Sequence, residues 1–466
     1  MNQIVRHPQS RTQSFAGEMK PIAAAIGLAF GLGTMQVAGA ATLTVTNSSD
    51  SGAGSLRDAV ITAAAGDTIV FGSVTGTITL TTGEIVLNKD LTISGPGAGT
   101  LALSGNNASR IFNVDGTTAP AITISGLTLR NGNTPGVGGA ITYDTGDGTL
   151  DLLNMAFTQN AATASGGAIW MECNACSISI SDSTFTSNST AGSYYGGGAI
   201  SAENGAVLTI TRSSFTGNTS ATDGGAMHID DVVLLIDSST ISGNTAVSGG
   251  GIYLYFDTPS TILNSTISGN TATSGNGGGI YSYNTGGSAL AIQNSTIAGN
   301  TGSGVFLKTN ALNDVVLQST IVANNSLPDV DGNGFAPRIS ADHSLIRAPA
   351  AGTAITGAAN ILGQDPLLGA LANNGGPTQT MLLQAGSPAI DTGSNPAALT
   401  FDQRGAGFPR TTGAATDMGA VEGAGAAPVV GLQPVPTLSQ WGVALLSLLT
   451  GAWAMITGFG RRRRRR

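Results

Sequence analysis

Four acids and a set of scarce aromatic residues recur at one fixed place in this chain. Asp144, Glu172, Glu203 and Asp230 each stand three residues beyond an apolar residue that follows a glycine pair: Ile141, Ile169, Ile200 and Met227. Later in the chain the same position holds Tyr255, Tyr283 and Lys308. One residue beyond the apolar residue stand Thr142, Trp170, Ser201, His228, Tyr253, Tyr281 and Phe306. The chain has 7 tyrosines and 3 tryptophans, so Tyr253, Tyr255, Tyr281, Tyr283 and Trp170 on one register is a concentration of rare residues. Rings presented this way suit the C–H faces of sugars, and Trp170, Tyr253, Tyr255, Tyr281 and Tyr283 form a candidate glycan-binding set. Acids at about 5 Å would repel one another by about 0.8 kcal/mol per pair in full solvent. A Ca²⁺ ion held by Asp144, Glu172, Glu203 and Asp230 would remove that repulsion. A catalytic reading uses the same residues. Glu172 and Glu203 would fall near the carboxylate separation of a retaining glycosidase, and His228 beside Asp230 could act as a general base.

These residues need a scaffold that repeats. Glycine pairs recur at Gly138-Gly139, Gly166-Gly167, Gly197-Gly198, Gly224-Gly225, Gly250-Gly251 and Gly278-Gly279, degrading to Gly304. Each is followed by an aromatic or aliphatic residue with Asn three positions on: Phe157 and Asn160, Phe185 and Asn188, Phe215 and Asn218, Ile241 and Asn244, Ile267 and Asn270, Ile297 and Asn300, Ile321 and Asn324. Self-similarity every 24 to 31 residues signals a solenoid. Alternating runs such as Ser177-Ile178-Ser179-Ile180-Ser181 are half-buried strands, and there are no spaced leucines or runs of helix formers. Leu152, Ile180, Ile210, Ile236, Ile262, Ile292 and Val316 stand at matched positions, ready to stack as internal ladders. The expected fold is all-β, a parallel β-helix of about ten to twelve coils, its glycines and asparagines at corners needing positive φ or a side-chain-to-backbone bond. In each strand after a glycine pair, alternation then sends the acids and rings outward.

The pattern of Gly-Gly-Ala-Ile with Phe-x-x-Asn resembles the repeat of polymorphic outer-membrane proteins and related pectin-lyase-like β-helices, over roughly residues 90 to 345. That resemblance implies right-handed coiling, in agreement with the crossover rule. It implies no single activity, since such helices carry enzymes, adhesins and inert stalks. The Gly-His-Gly and Arg-x-Lys motifs of polygalacturonase-like enzymes are absent, and Lys308 would lie roughly 14 Å beyond Asp230 by the stacking repeat.

Along the chain, residues 1–40 read as a signal peptide, with basic residues, an apolar stretch and Ala38-Gly39-Ala40 as a cleavage pattern for signal peptidase. Residues 41–75 read as an N-terminal cap, with a helix opening at Ser55. Residues 76–345 are the expected β-helix. Residues 346–422 carry Asn373-Asn374-Gly375-Gly376-Pro377, Gly386-Ser387-Pro388-Ala389-Ile390-Asp391, Asp402-Gln403-Arg404-Gly405 and Asp417-Met418-Gly419, in an order that resembles the choice-of-anchor Q domain of bacterial surface proteins. Asp391, Asp402, Arg404 and Asp417 there read as a structural ion network. Residues 423–434 form a Gly, Ala and Pro linker. Residues 435–466 hold Pro436-Thr437-Leu438, Trp441-Gly442, an apolar stretch long enough to span a membrane, and six terminal arginines. This tail resembles the IPTL-CTERM sorting signal of Gram-negative bacteria, with Val435 in place of the usual Ile. The resemblance implies an exosortase-type processing enzyme as a partner and a body held outside the cytoplasm, by a cleaved tail or a permanent anchor.

The ends carry 9 of the 19 basic residues and 1 of the 27 acids, so residues 41–440 hold 10 − 26 = −16 charges. A body this acidic would be repelled by nucleic acid. Cys173 and Cys176 in an exported chain are expected to close a local disulfide. The sequence thus leads to an exported surface or matrix protein. Its role is structural or adhesive, binding an envelope polysaccharide or other glycan or Ca²⁺ on the acidic and aromatic strip. A polysaccharide lyase or glycoside hydrolase using Glu172, Glu203, Asp230 and His228 is the alternative, and an inert stalk the third.

Overall fold

The structure is a computed structural model that describes residues 39–116, 119–192, 195–256, 258–284, 289–308, 315–332 and 338–423. The chain divides after Gly39, and the described residues from Ala40 onward are taken below. The expected signal peptide lies outside the described residues, apart from its last two positions. So do the linker after Gly423, the sorting residues Pro436, Thr437, Leu438, Trp441 and Gly442, and the expected membrane-spanning helix.

The alternating runs fold as strands and coil into a right-handed parallel β-solenoid. One coil runs through Ile169–Glu172, Ser177–Ser181, Thr184–Thr186 and Ser189–Thr190 before the chain enters the next at Ile200–Glu203. Among the described residues, equivalent strands stack into sheets of 13, 12, 10 and 6 strands, and successive coils pair in parallel. The register keeps apolar residues over apolar residues. Ile178, Leu208 and Leu234 align, as do Ile180, Ile210 and Ile236, all at most 1% exposed. Phe157, Phe185 and Phe215 stack at 4.5 Å between centroids, because the coil repeat matches the thickness of a ring.

The repeating asparagine does more than turn a corner. Asn160, Asn188, Asn218, Asn244, Asn270 and Asn300 point inward and are at most 1% exposed. Asn188 Nδ2 donates to Phe157 O at 3.0 Å and to Asn218 Oδ1 at 2.9 Å, and the other rungs repeat this. The positive φ expected at the asparagine falls one residue earlier, at Gln159, Ser187, Gly217, Gly243, Gly269 and Gly299. The last rung is Asn325, not Asn324, since Asn300 donates to Asn325 Oδ1 at 2.9 Å. At the other corner Gly224 has a φ of +66°, and a Cβ there would overlap the carbonyl of Met227. A Cβ on Gly225 would overlap the carbonyl of Gly250 in the next coil, so the glycine pair lets coils approach closely.

The N-terminal end is closed as its pattern indicates. Thr42–Val45 pairs with Asp67–Phe71, and a helix, Leu56–Thr62, is capped by Ser55, whose hydroxyl accepts from Asp58 N. Leu56, Ala59 and Val60 of this helix join the core. At the other end the coils continue past residue 345, because Ala354–Thr356 and Ile361–Leu362 still pair with their predecessors.

Residues beyond Leu362 leave the coil path and run along the outer face of the 12-stranded sheet. That face presents Thr240, Thr266 and Thr296, now at most 1% exposed. Gln403 Nε2 donates to Ser239 O at 3.1 Å and to Thr240 Oγ1 at 2.9 Å, and Gln403 Oε1 accepts from Thr266 Oγ1 at 2.6 Å. Met418, Leu383 and Ala389 pack on Ile321 and Leu345. Asp402, Arg404, Asp391 and Asp417 do form a network here. Arg404 pairs with Asp402 at 2.6 Å, and Asp417 Oδ1 accepts from Asp391 N at 2.7 Å. Arg410 and Glu422, which the sequence did not single out, complete it with an ion pair of 3.2 Å that is 1% exposed on both sides. Burial lowers the Arg410 pKa and raises that of Glu422, yet each group is bound by several partners.

Candidate functional site

The strand after each glycine pair belongs to the 10-stranded sheet, and its outward residues align in two rows. In the first row Thr142, Trp170, Ser201, His228, Tyr253, Tyr281 and Phe306 are successive register partners. In the second, Asp144, Glu172, Glu203, Asp230, Tyr255 and Tyr283 follow one another. Lys308 ends the second row, with its ammonium 4.8 Å above the centre of the Tyr283 ring.

The first row does not offer its rings to solvent. Trp170, His228, Tyr281 and Phe306 are 8%, 3%, 5% and 3% exposed. The cause is the coil repeat itself. His228 stacks on Tyr253 at 5.1 Å, Tyr253 on Tyr281 at 4.6 Å, and Tyr281 on Phe306 at 5.0 Å. Rings at the coil spacing cover one another's faces, so the open stacking platform expected of Tyr281 is closed, while Trp170 is buried between Thr142 and Ser201 of the row with its indole donating to Glu203. Tyr195, from the segment ahead of its glycine pair, tilts onto the free side of His228 at 5.2 Å. The second row is looser. Tyr255 and Tyr283 are half-buried and meet edge to face, at 5.0 Å and 87°.

The acids also differ from one another. Asp144 is exposed. Glu172 accepts from Asn204 Nδ2 at 2.8 Å. Glu203 is 7% exposed, accepts from Trp170 Nε1 at 3.1 Å and from Ser201 Oγ at 3.2 Å, and has its pKa raised by burial. Asp230 is half-buried, and burial together with the charge of Asp231 lifts its pKa to about 6. Asp144, Glu172, Glu203 and Asp230 thus sit in four different surroundings, although the charges of Glu172 and Asp230 both act on Glu203. Among the described residues no three His, Cys, Asp or Glu side chains gather as a group that could hold a metal ion. The spacing of the acids follows the coil repeat and spreads them along a line.

The same geometry bears on the catalytic set. His228 has both ring nitrogens buried and without a hydrogen-bond partner, so it makes no bond to Asp230. Burial lowers its pKa to about 4 and leaves it neutral near pH 7. Glu203 is held by an indole and a hydroxyl, a setting that fixes a carboxyl in place. Cys173 and Cys176 are joined in the expected disulfide, just beyond the strand that ends at Glu172.

What the face does contain is a cleft of about 360 Å³, lined by Tyr195, Asp223, His228, Asp230, Tyr253 and Tyr255. His228, Asp230, Tyr253 and Tyr255 come from two adjacent strands, Met227–Asp230 and Ile252–Phe256. Tyr195 and Asp223 come from the segments that lead into glycine pairs, and the repeat pattern gave no reason to select them. Their signal was position: each stands within three residues of a glycine pair, where the chain turns toward the same face. Burial raises the pKa of Asp223, and its neighbour Ser248 and the charge of Lys308 oppose that rise. A cleft of similar size, about 370 Å³, lies beside the N-terminal helix. Its cations are occupied: Arg57 holds the carbonyls of Gly83 and Glu84, and Lys89 those of Val60 and Ala63.

Comparison with known proteins found several similar structures, one family model and one motif. The structure is similar to that of pectate lyase Pel9A, with 14% identity over 83% of this chain and 97% of that one and a TM-score of 0.45. It is similar to the PL6 family polysaccharide lyase Pedsa3628 from Pseudopedobacter saltans, with 13% identity over 70% of this chain and 94% of that one and a TM-score of 0.40. A third similar structure is the PL6 family alginate lyase AlyGC, with 13% identity over 73% of this chain and 55% of that one and a TM-score of 0.40. No curated protein matches the chain. Residues 433–466 match the IPTL-CTERM motif, and residues 172–356, the coils that carry the cleft, match the family model of the right-handed β-helix region.

Proposed function

We propose that this chain is an exported surface protein that binds a glycan in the cleft between Tyr195 and Tyr255 and leaves it chemically unchanged. The sorting motif at residues 433–466 supports export, surface display and a processing enzyme of the exosortase type. The observation that carries the binding reading is the cleft itself. It joins aromatic walls from Tyr195, Tyr253 and Tyr255 to the carboxyl groups of Asp223 and Asp230. Its volume falls in the range of small-ligand sites, and a few polar groups among apolar walls is what a sugar ring requires. The half-buried Tyr255 ring covers a sugar C–H face while the carboxylates accept from its hydroxyls.

Binding is favoured over turnover by the state of the acids and the imidazole. A general base needs a free lone pair within reach of substrate and a partner that orients it. The His228 ring is stacked between Tyr195 and Tyr253, with neither nitrogen tied to an acid. The test uses the full-length protein, incubated with a panel of envelope and plant polysaccharides, with and without Ca²⁺. Retention on a polysaccharide is expected, with at least a tenfold loss of affinity in Tyr255→Ala and no shortened chains by mass spectrometry. Product release that disappears in Glu172→Gln or Asp230→Asn would make the protein an enzyme and overturn the binding reading.

A further inference from the structure

The charge inside the cleft narrows what it can hold. Among the described residues that line it, the ionisable side chains other than tyrosine are Asp223, Asp230 and His228. The imidazole is neutral near pH 7, because no acid pairs with it to offset its burial. The cleft is thus walled by aromatic rings and charged only by carboxylates. A uronic acid would bring a third carboxylate beside two that no ion pair neutralises, since Lys308, whose charge Asp223 feels, stands outside the lining. Neither Asp223 nor Asp230 takes part in an ion pair of the described residues.

We infer that the glycan recognised here carries an ammonium group: the cleft selects a sugar with a free amine, such as glucosamine, over its N-acetylated or uronate counterpart. This rests on the glycan-binding reading above and adds a sign to it. The ammonium sits against the half-buried Tyr255, where a ring face attracts a cation, and is neutralised by Asp223 and Asp230. The fold already uses this chemistry on the same face, since the Lys308 ammonium lies 4.8 Å over the Tyr283 ring in the second row. His228 lines the same cleft with both ring nitrogens buried and unpartnered, a costly arrangement that a donor on a bound ligand would relieve. The neighbouring acids Glu203 and Asp231 add to the negative field around Asp230.

The experiment is a calorimetric titration of the full-length protein at pH 6.5 and low salt, with glucosamine, N-acetylglucosamine and galacturonate oligomers of equal length. Cadaverine serves as an amine without a sugar ring. The glucosamine oligomer is expected to bind at least tenfold more tightly than the acetylated one, with no measurable uronate binding. Asp230→Asn and Asp223→Asn are each expected to remove that preference while keeping the melting temperature, since each replaces a half-buried charge by a neutral amide. Equal affinity for the amine and acetylated oligomers, or tighter uronate binding, overturns the ammonium assignment and leaves a glycan site. Cadaverine binding as tightly as the sugar oligomer overturns the assignment to a sugar. An absence of binding by these oligomers and by every polysaccharide of the panel overturns both readings.

Discussion

His228 and Asp230 stand two residues apart on one face of one strand, and burial moves their protonation in opposite directions. The Asp230 carboxyl rises from 3.8 to about 6, mainly through burial and further through Asp231. Its protonated form is the one that suits the fold, so its contribution is lost as pH rises through about 6. His228 falls from 6.5 to about 4 through burial. Its neutral form suits the fold, so its contribution is present above 6.5 and lost as pH falls through about 4. Between these values the two effects oppose, and the protein's stability is expected to be nearly level. Asp230→Asn uncovers the histidine, and stability should then fall by on the order of 2 kcal/mol between pH 6.5 and 4. His228→Phe uncovers the acid, and stability should then rise over the same interval, by less because Asp230 is only half-buried. Calorimetric melting at the two pH values reads both, and variants that track the parent protein at each pH would show the two groups to be silent. The sequence placed these residues on a common outward face but gave no means of judging their burial. That depends on Tyr195, which arrives from the preceding coil, and on a ring spacing that turns an exposed row into a closed stack.

At the scale of strands and coils, the repeat was legible in detail because each position is tested many times over. A period-two alternation fixes which side chains face inward, and the register stacks Leu152, Ile180, Ile210, Ile236, Ile262 and Ile292 inside; in the next coil the partner of Ile292 is Leu317, one residue past the expected Val316. Less legible was the role of the asparagine, because a corner residue and an inward ladder residue carry the same letter. The ladder decides between them. Asn218 donates to Phe185 O and Asn244 Oδ1 and accepts from Asn188 N and Nδ2, all at 2.9 to 3.0 Å. Asn218→Ala strands a carbonyl and two donors in a fully buried place, and should cost roughly 3 to 5 kcal/mol. Because coils contact only their neighbours, the loss should be local. Hydrogen exchange should quicken at Asn188, Asn218 and Asn244 while the N-terminal cap keeps its protection. A uniform increase along the solenoid would mean that the coils unfold as one unit.

On the scale of the folded body, the segment after Leu362 has almost no regular structure and is held by side chains reaching across more than a hundred residues. Gln403 is the clearest of these, bridging Ser239, Thr240 and Thr266 of two coils. Gln403→Ala should make residues 363–423 susceptible to limited proteolysis while the coils resist it, with a stability loss of about 2 kcal/mol. Cleavage within the coils at the same rate would contradict that division. The motifs around Asp402, Arg404 and Asp417 marked this segment in the sequence. Their destination was hidden, because nothing local in Asp402-Gln403-Arg404 names a threonine row far back in the chain.

The described chain ends at Gly423, whose N–H donates to Asp417 Oδ2 at 2.7 Å. Three residues earlier Ala420 donates to Thr296 Oγ1 at 3.1 Å. The route toward the sorting tail therefore departs from the flank of the solenoid beside the coil of Thr296, some coils before the last strand at Leu362. Tension applied from beyond Gly423 would meet the body sideways. It would load Ala420 on Thr296, Glu422 on Asp402 and Arg410 on Glu422 together, in shear. The end coil, with its two-residue final strand, would be spared the peeling force that opens such a ladder one bond at a time.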